Sequence, residues 1–450
     1  MTKMPNYIST TNACKLCKPL GASIAFRGVE GSVPFLHGSQ GCATYMRRYI
    51  ISHFNEPIDI ASSSLGEKNA IYGGGPNLKL GLKNVTEKYR PQVIGIATTC
   101  LTETIGDDVK MLVTEYQKEF SQDGGPALVR VSTPSYSGSH MEGFHAATLA
   151  MVEQLATESG ENESFNLFPG FVSPADIRWL KETVATFSLP VTILPDYSDT
   201  LDGQALCEYP LIPEGGTPIA SIRRMAGAKG SIELGTCLPD LSGGSFLAET
   251  SGNENFRLTM PIGLRATDSF LSLLEKISSR TIPASHTSAR GRLVDTMVDG
   301  HKYISGKRAL VYGEEDLVVG LTSFLSEIGI QPVVCASGGK SGKLRQAIAS
   351  VTRDLLLEEP LVIDGADFFD IAETAAELNP DIIIGHSKGY PLARKLSIPI
   401  IRVGFPIHDR VGGQRILHFG YQGAQALFDT IVNAIIEKKQ NDSNIGYSYM

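Results

Sequence analysis

Seven cysteines are scattered along the 450-residue chain, and three of them, Cys17, Cys42 and Cys100, stand where a thiolate could work rather than pack. Cys17 opens Cys17-Lys18-Pro19-Leu20-Gly21-Ala22, Cys42 closes His37-Gly38-Ser39-Gln40-Gly41-Cys42, and Cys100 ends Ala97-Thr98-Thr99-Cys100 after an apolar run. Each falls at a turn, where backbone N–H groups and a thiolate can face one ligand. Iron–sulfur clusters use that arrangement: iron takes thiolate sulfur, and nearby N–H groups offset the negative charge on the sulfurs. Gly38 and Gly41 would let the backbone come close to such a group. Spacing alone leaves the matter open. Gaps of 25 and 58 positions match no local ferredoxin pattern, and a free cysteine often packs as a small hydrophobe. Cys14 and Cys17 also make a Cys-x-x-Cys pair, the spacing of a zinc half-site or a thioredoxin-like couple. No second such pair and no His-x-x-x-His follows, and no strand–pair–helix context supports thiol exchange. Cys207, Cys237 and Cys335 are read as structural.

Other polar words carry less. His37 and His53 flank the second cysteine loop and read as ordinary polar or helix-capping residues, with cluster hydrogen bonding as the alternative. Arg47 and Arg48 follow Cys42 on an expected helix, either offsetting cluster charge or facing solvent. Ser337-Gly338-Gly339-Lys340-Ser341-Gly342-Lys343 imitates a phosphate loop but has Ser337 where the motif needs Gly and Leu344 where it needs Ser or Thr. Asp107 and Asp108 are expected early in a helix, where carboxylates suit the dipole. His386, Lys388 and Arg402 occupy strand ends without forming a nameable site.

The elements that must position these residues follow one scheme: a short β-branched run, a Gly-rich or polar turn, then an amphipathic helix. Pro91–Ala97 reads as a buried strand, a helix is expected from about Glu103 to Phe120, and Ala127–Val131 reads as the next strand. Phe165–Phe168, a helix after Ser173-Pro174 with Ser173 as N-cap, and Val191–Leu194 repeat it. So do Arg308–Gly313, Glu315–Ile328 and Pro332–Cys335, and then Asp381–Gly385, Tyr390–Leu396 and Pro399–Val403. Such repetition predicts an α/β chain of Rossmann-like domains with parallel sheets flanked by helices. Ligands of such sheets sit beyond the strands' carboxyl ends, so the loops after Ala97, Val131, Tyr312 and Ile384 are the ones to search. Polar stretches near 160 and 290 predict three domains, 1–160 with the candidate ligands, 161–290 and 291–440, and a flexible tail over 441–450.

Composition limits the partners. Forty Lys plus Arg against 48 Asp plus Glu leave a net charge of −8, which argues against nucleic-acid or anionic-membrane binding. No apolar run approaches the roughly 20 residues that span a bilayer, and the opening segment lacks the apolar core of a signal peptide. Sparse cysteines in such a chain suit metal ligation or reduced thiols in the cytoplasm.

The words in order are more specific than any one of them. The Cys17, Cys42 and Cys100 segments, Ser52-His53-Phe54-Asn55-Glu56-Pro57, Glu103-x-x-Gly106-Asp107-Asp108 and Thr133-Pro134-Ser135-Tyr136-Ser137-Gly138-Ser139-His140 resemble the β-type subunits of nitrogenase component 1. The likeness extends through Gly385-His386-Ser387-Lys388 and Phe405-Pro406-Ile407-His408-Asp409-Arg410. Within that family the chain looks most like the NifN type, the β-type half of the NifEN scaffold on which the iron–molybdenum cofactor is matured. The segment His301–Lys307 leading into Tyr312–Leu317 supports that reading, as does the lack of a long N-terminal extension.

The resemblance implies three Rossmann-like domains and an α2β2 heterotetramer with a NifE-like α-type partner. It implies an iron–sulfur cluster shared across the αβ interface, a FeMo-cofactor precursor held mainly by the partner, and electrons from an ATP-hydrolysing, NifH-like iron protein that docks transiently. Cys42 matches the ligand given to the scaffold's shared 4Fe–4S cluster. Cys17 and Cys100 match further ligands of the 8Fe–7S P-cluster, and Ser135 matches the serine that joins it on oxidation. No residue is assigned as a catalytic acid or base. Retention of Cys17 and Cys100 keeps open a catalytic nitrogenase or nitrogenase-like reductase, such as one acting on methylthio-alkanes. A sugar- or nucleotide-binding protein of similar architecture is the reading without metal.

Overall fold

The computed structural model describes residues 12–120, 124–356 and 358–445. Among the described residues thirteen strands form three sheets, parallel throughout, because runs such as Val93–Thr98 are buried on both faces and need helices above and below. The first sheet contains β1 (Ser32–His37), β2 (Ala61–Ser62), β3 (Val93–Thr98) and β4 (Ala127–Val131) in the order β2-β1-β3-β4. The second contains β5 (Phe165–Phe168), β6 (Val191–Ile193), β7 (Gly230–Leu234) and β8 (Glu254–Leu258) in the order β6-β5-β7-β8. The third contains β9 (Arg308–Gly313), β10 (Gln331–Ser337), β11 (Leu361–Asp364), β12 (Ile382–Gly385) and β13 (Ile400–Arg402) in the order β11-β10-β9-β12-β13.

Three expectations need correction, and a fourth lies partly out of view. The single helix expected over 103–120 is two helices, Cys100–Ile105 and Val109–Phe120. Gly106 ends the first in the left-handed region at φ +77°, which a glycine adopts without strain. Asp107 then turns inward to accept from the Gly74 N–H and to meet His37 Nε2 at 3.1 Å, while Asp108 Oδ1 caps Met111 N–H at 2.9 Å. Neither lies inside a helix. Cys207, expected as structural, is exposed. Half of the expected tail over 441–450 lies outside the described residues, and the last helix runs from Gly420 to Asp442. Residue 290 lies within the continuous helix Ala284–Ile304.

The segments between sheets meet around the start of helix Glu315–Glu327. Glu314 meets His140 Nε2 at 3.2 Å, Glu315 accepts from Ser341 N–H and Oγ, and Asp316 accepts from the N–H groups of Thr236 and Cys237 at 2.6 and 2.8 Å. All three are buried. Burial raises the Glu315 carboxyl from 4.5 to about 7, against the lowering pull of Ser341. The folded chain thus holds this proton more tightly than the unfolded one, so Glu315 favours folding fully below pH 4.5. That contribution is lost as pH rises from 4.5 through about 7. Glu315→Gln is expected to remove a loss on the order of 2–3 kcal/mol, seen as a smaller fall in thermal midpoint between pH 5 and pH 8. An unchanged pH profile would show that burial here costs the carboxylate nothing.

Candidate functional site

The carboxyl edge of the first sheet gathers the predicted residues. His37 at the end of β1 pairs with Thr98 at the end of β3, and Ala97 with Val131 of β4, so the loops leaving these strands are neighbours. The β1 loop carries Cys42 in the first turn of helix Gln40–Phe54, and the β3 loop carries Cys100 as the first residue of its helix. The β4 loop carries Ser135. Gly38 keeps the first two loops close: a Cβ there would stand 2.1 Å from Thr99 Oγ1.

Cys17 arrives from another direction, as the N-cap of helix Lys18–Arg27, with Pro19 in the first turn. That helix crosses His140–Leu155 so closely that glycines are required at the contact. A Cβ on Gly21 would lie 1.7 Å from the His140 carbonyl oxygen, and one on Gly143 would lie 1.8 Å from that of Lys18. The crossing sets the amino ends of the two helices side by side, and the Lys18 N–H donates to Ser135 Oγ at 3.1 Å.

Electrostatics shows the same convergence. Burial is the main cause that raises the Cys17 thiol, and nearby Cys100 and Cys42 raise it further, while a hydrogen bond from Ser135 opposes them. The Ser135 N–H points at Cys100 Sγ (3.2 Å), and Ser39 Oγ at Cys42 Sγ (3.4 Å). Cys17 and Cys42 are half-buried and Cys100 is exposed. Among the described residues no three Cys, His, Asp or Glu side chains close around a single metal ion. Three thiols on an open rim, with N–H and O–H donors already aimed at two sulfurs, fit a multi-iron cluster completed from outside this chain.

Neighbouring residues are structural. His37 is fully enclosed, bonded to Ser63 Oγ and Asp107, and burial lowers its proton affinity. His53 Nδ1 accepts from the Ile407 N–H. Arg47 pairs with Asp59 at 3.4 Å on the exposed side of its helix. The zinc or thioredoxin alternative for Cys14 and Cys17 finds no support, because the two thiols sit in different surroundings: Cys17 lies half-buried beside Ser135, whereas Cys14 is buried. Cys14 points inward to His386 Nε2 (3.6 Å), and burial pushes its thiol up to about 12. Cys237 and Cys335 are buried. Sequence reasoning passed over Ser39, whose signal was its place three residues before Cys42, and the paired glycines Gly21 and Gly143. A cavity of about 960 Å3, lined by Arg27, Asp59, Arg178 and Asp202 among others, has none of the three thiols in its wall.

Comparison with known proteins matches this architecture. A family model described as nitrogenase component 1 type oxidoreductase covers residues 17–436. The chain is 35% identical over 433 residues to the nitrogenase molybdenum-iron protein beta chain of Clostridium pasteurianum, spanning 96% of this chain and 94% of that one. It is 34% identical to the Azotobacter vinelandii beta chain over 96% of this chain and 86% of that protein. A chain of the solved nitrogenase Cp1 at pH 6.5 superposes with a TM-score of 0.96 at 33% identity, covering 100% and 98% of the two chains. A chain of nitrogenase Cp1 at pH 5, 15% identical, shares the fold with a TM-score of 0.72. The protein belongs to the nitrogenase component 1 family, as a β-type subunit.

Proposed function

We propose that Cys17, Cys42 and Cys100 are thiolate ligands, with Ser135 in reserve, to an iron–sulfur relay cluster at the interface with an α-type partner. The meeting of these four side chains, from four separate segments, at one open edge carries the reading. When bound, such a cluster stores and passes electrons. The protein's part is ligation and tuning: the Ser135 N–H and Ser39 O–H donate to Cys100 and Cys42 sulfurs, which favours the more negatively charged, reduced state. Exposed aromatic and aliphatic side chains border the thiols. Tyr136 adjoins Ser135, Tyr45 follows Cys42 by less than a turn, and Ile71 and Tyr72, each more than three-quarters exposed, come from a helix packed against Cys100–Ile105. Apolar surface beside an incomplete ligand set is what a partner subunit would cover.

Three thiols plus Ser135 exceed what this chain would give a shared four-iron cluster and suit the eight-iron P-cluster type. That favours a reductase role, in line with the beta chains named above, over the cofactor scaffold. In either role the partner would complete an α2β2 assembly and hold the larger cofactor or its precursor, and the shared cluster would take electrons from the docking iron protein. Segments from all three sheets meet at Phe54, Phe171 and Phe405, and they leave only about 20 Å3 there. That is room for about one water molecule.

Anaerobic co-purification with the α-type partner, followed by iron analysis and EPR, tests the reading. About eight interface irons per αβ pair, with acetylene or thioether reduction once the iron protein is added, supports the reductase. About four, with no substrate reduction, selects the scaffold. Iron-free complex overturns ligation altogether. No helix among the described residues is long and apolar enough to cross a membrane.

A further inference from the structure

The segment 12–17 reaches the site as a strap laid across the third sheet. The Asn12 N–H donates to the Asp367 carboxylate at 3.1 Å, the Asn12 carbonyl accepts from Phe368 N–H at 3.1 Å, and the Cys14 N–H donates to the Ala366 carbonyl at 3.0 Å. Leu16 then exchanges two bonds with His140, N–H to Nδ1 at 3.2 Å and carbonyl to N–H at 3.0 Å. Gly338 allows this approach, since a Cβ there would stand 2.1 Å from the Cys14 carbonyl oxygen. One side chain spans the middle of the strap. Lys388, on the turn after β12, donates from Nζ to the carbonyls of Ala13 (2.9 Å) and Lys15 (3.2 Å), on either side of Cys14. The neighbouring carboxylate, Asp367, is engaged with the N–H groups of Asn12 and Phe369.

Lys388 is half-buried, and its charge is felt at both Cys14 and Cys17. A cation in that setting acts through a lower effective dielectric than water, so its field reaches the rim with less screening. We propose that Lys388 is a positioning residue for the relay cluster: it clamps the strap that delivers Cys17 and sets a fixed positive charge behind that ligand. The charge stabilises the reduced cluster relative to the oxidised one. This rests on Cys17 being a ligand; the clamp itself does not need the cluster.

The test compares Lys388→Met and Lys388→Arg in the purified αβ complex, using iron content, an EPR-monitored redox titration, and hydrogen exchange at the Cys14 and Leu16 amides. Lys388→Met is expected to lower the reduced-to-oxidised ratio at fixed potential about tenfold, a shift of about 59 mV to more negative values for one electron. It should also speed exchange in the strap, and Lys388→Arg should restore both. Iron lost in Met and regained in Arg supports the clamp as well. Met and Arg variants that behave alike, whether both like wild type or both iron-free, overturn it. If ligation by this chain is wrong, a complex lacking Cys42 keeps its iron while the strap exchange still responds to Lys388→Met, so the two failures are distinct.

Discussion

Cys42→Ala in the purified αβ complex is expected to abolish most of the interface iron and its EPR signal while the polypeptide folds as before. Cys42 sits half-buried on the rim, in the first turn of helix Gln40–Phe54, where its sulfur accepts from the Ser39 hydroxyl at 3.4 Å. Truncating such a side chain removes little packing, so the cost to the fold should stay within about 1 kcal/mol. Alanine is also the better helix former. The thermal midpoint of the metal-free chain should therefore match wild type, which separates lost ligation from lost structure. Cys335→Ala should do the reverse. That thiol is buried in β10, 3.2 Å from Thr322 Oγ, and its removal loosens the third sheet without reaching the rim. A Cys42→Ala complex with full iron and an unaltered signal would remove Cys42 from the ligand set and leave the rim without a metal role.

The third sheet was the easiest part of the architecture to read. Ala309–Gly313 and Ile382–Gly385 are apolar runs enclosed on both sides, and such runs between Gly-rich turns and amphipathic helices have few other solutions. The break at Gly106-Asp107-Asp108 was misread because the hydrophobic spacing continues across it. The stop there is a left-handed glycine and an aspartate whose partners, Gly74 and His37, are over 30 residues away.

The candidate site was legible in its parts and illegible in its assembly. Turn glycines marked each cysteine loop, but nothing local says that Cys17 meets Cys100, because the link runs through the register of β1, β3 and β4 and one helix crossing. Resemblance to a family supplied an expected ligand set, which spacing could not. The Cys14–Cys17 pair shows the opposite case, a local motif whose two thiols end in different surroundings, one buried against His386 and one half-buried beside Ser135. The strap's hold on Lys388 spans more than 370 residues, and no pattern in the chain announces it.

Gly143→Val is expected to destabilise the protein by about 3 kcal/mol or more, the upper range for overpacking, because no side chain can yield at this contact. The first atom a Cβ meets is the Lys18 backbone oxygen at 1.8 Å, and the reciprocal glycine, Gly21, faces the His140 backbone at 1.7 Å. Two helix backbones must move apart, and their amino ends carry Cys17 and the Ser135 loop. The Lys18 N–H to Ser135 Oγ bond, 3.1 Å in the native crossing, should be among the first to open. Gly291→Ala supplies the contrast: it lies in helix Ala284–Ile304 with nothing within 4 Å of a Cβ. There the gain in helix propensity should stabilise by up to ~1 kcal/mol. Denaturant unfolding of the two variants, with iron retention measured on the surviving folded fraction, links the crossing to the rim. Gly143→Val unfolding at the wild-type midpoint would mean that the close crossing of these helices is not what holds Cys17 against its neighbours.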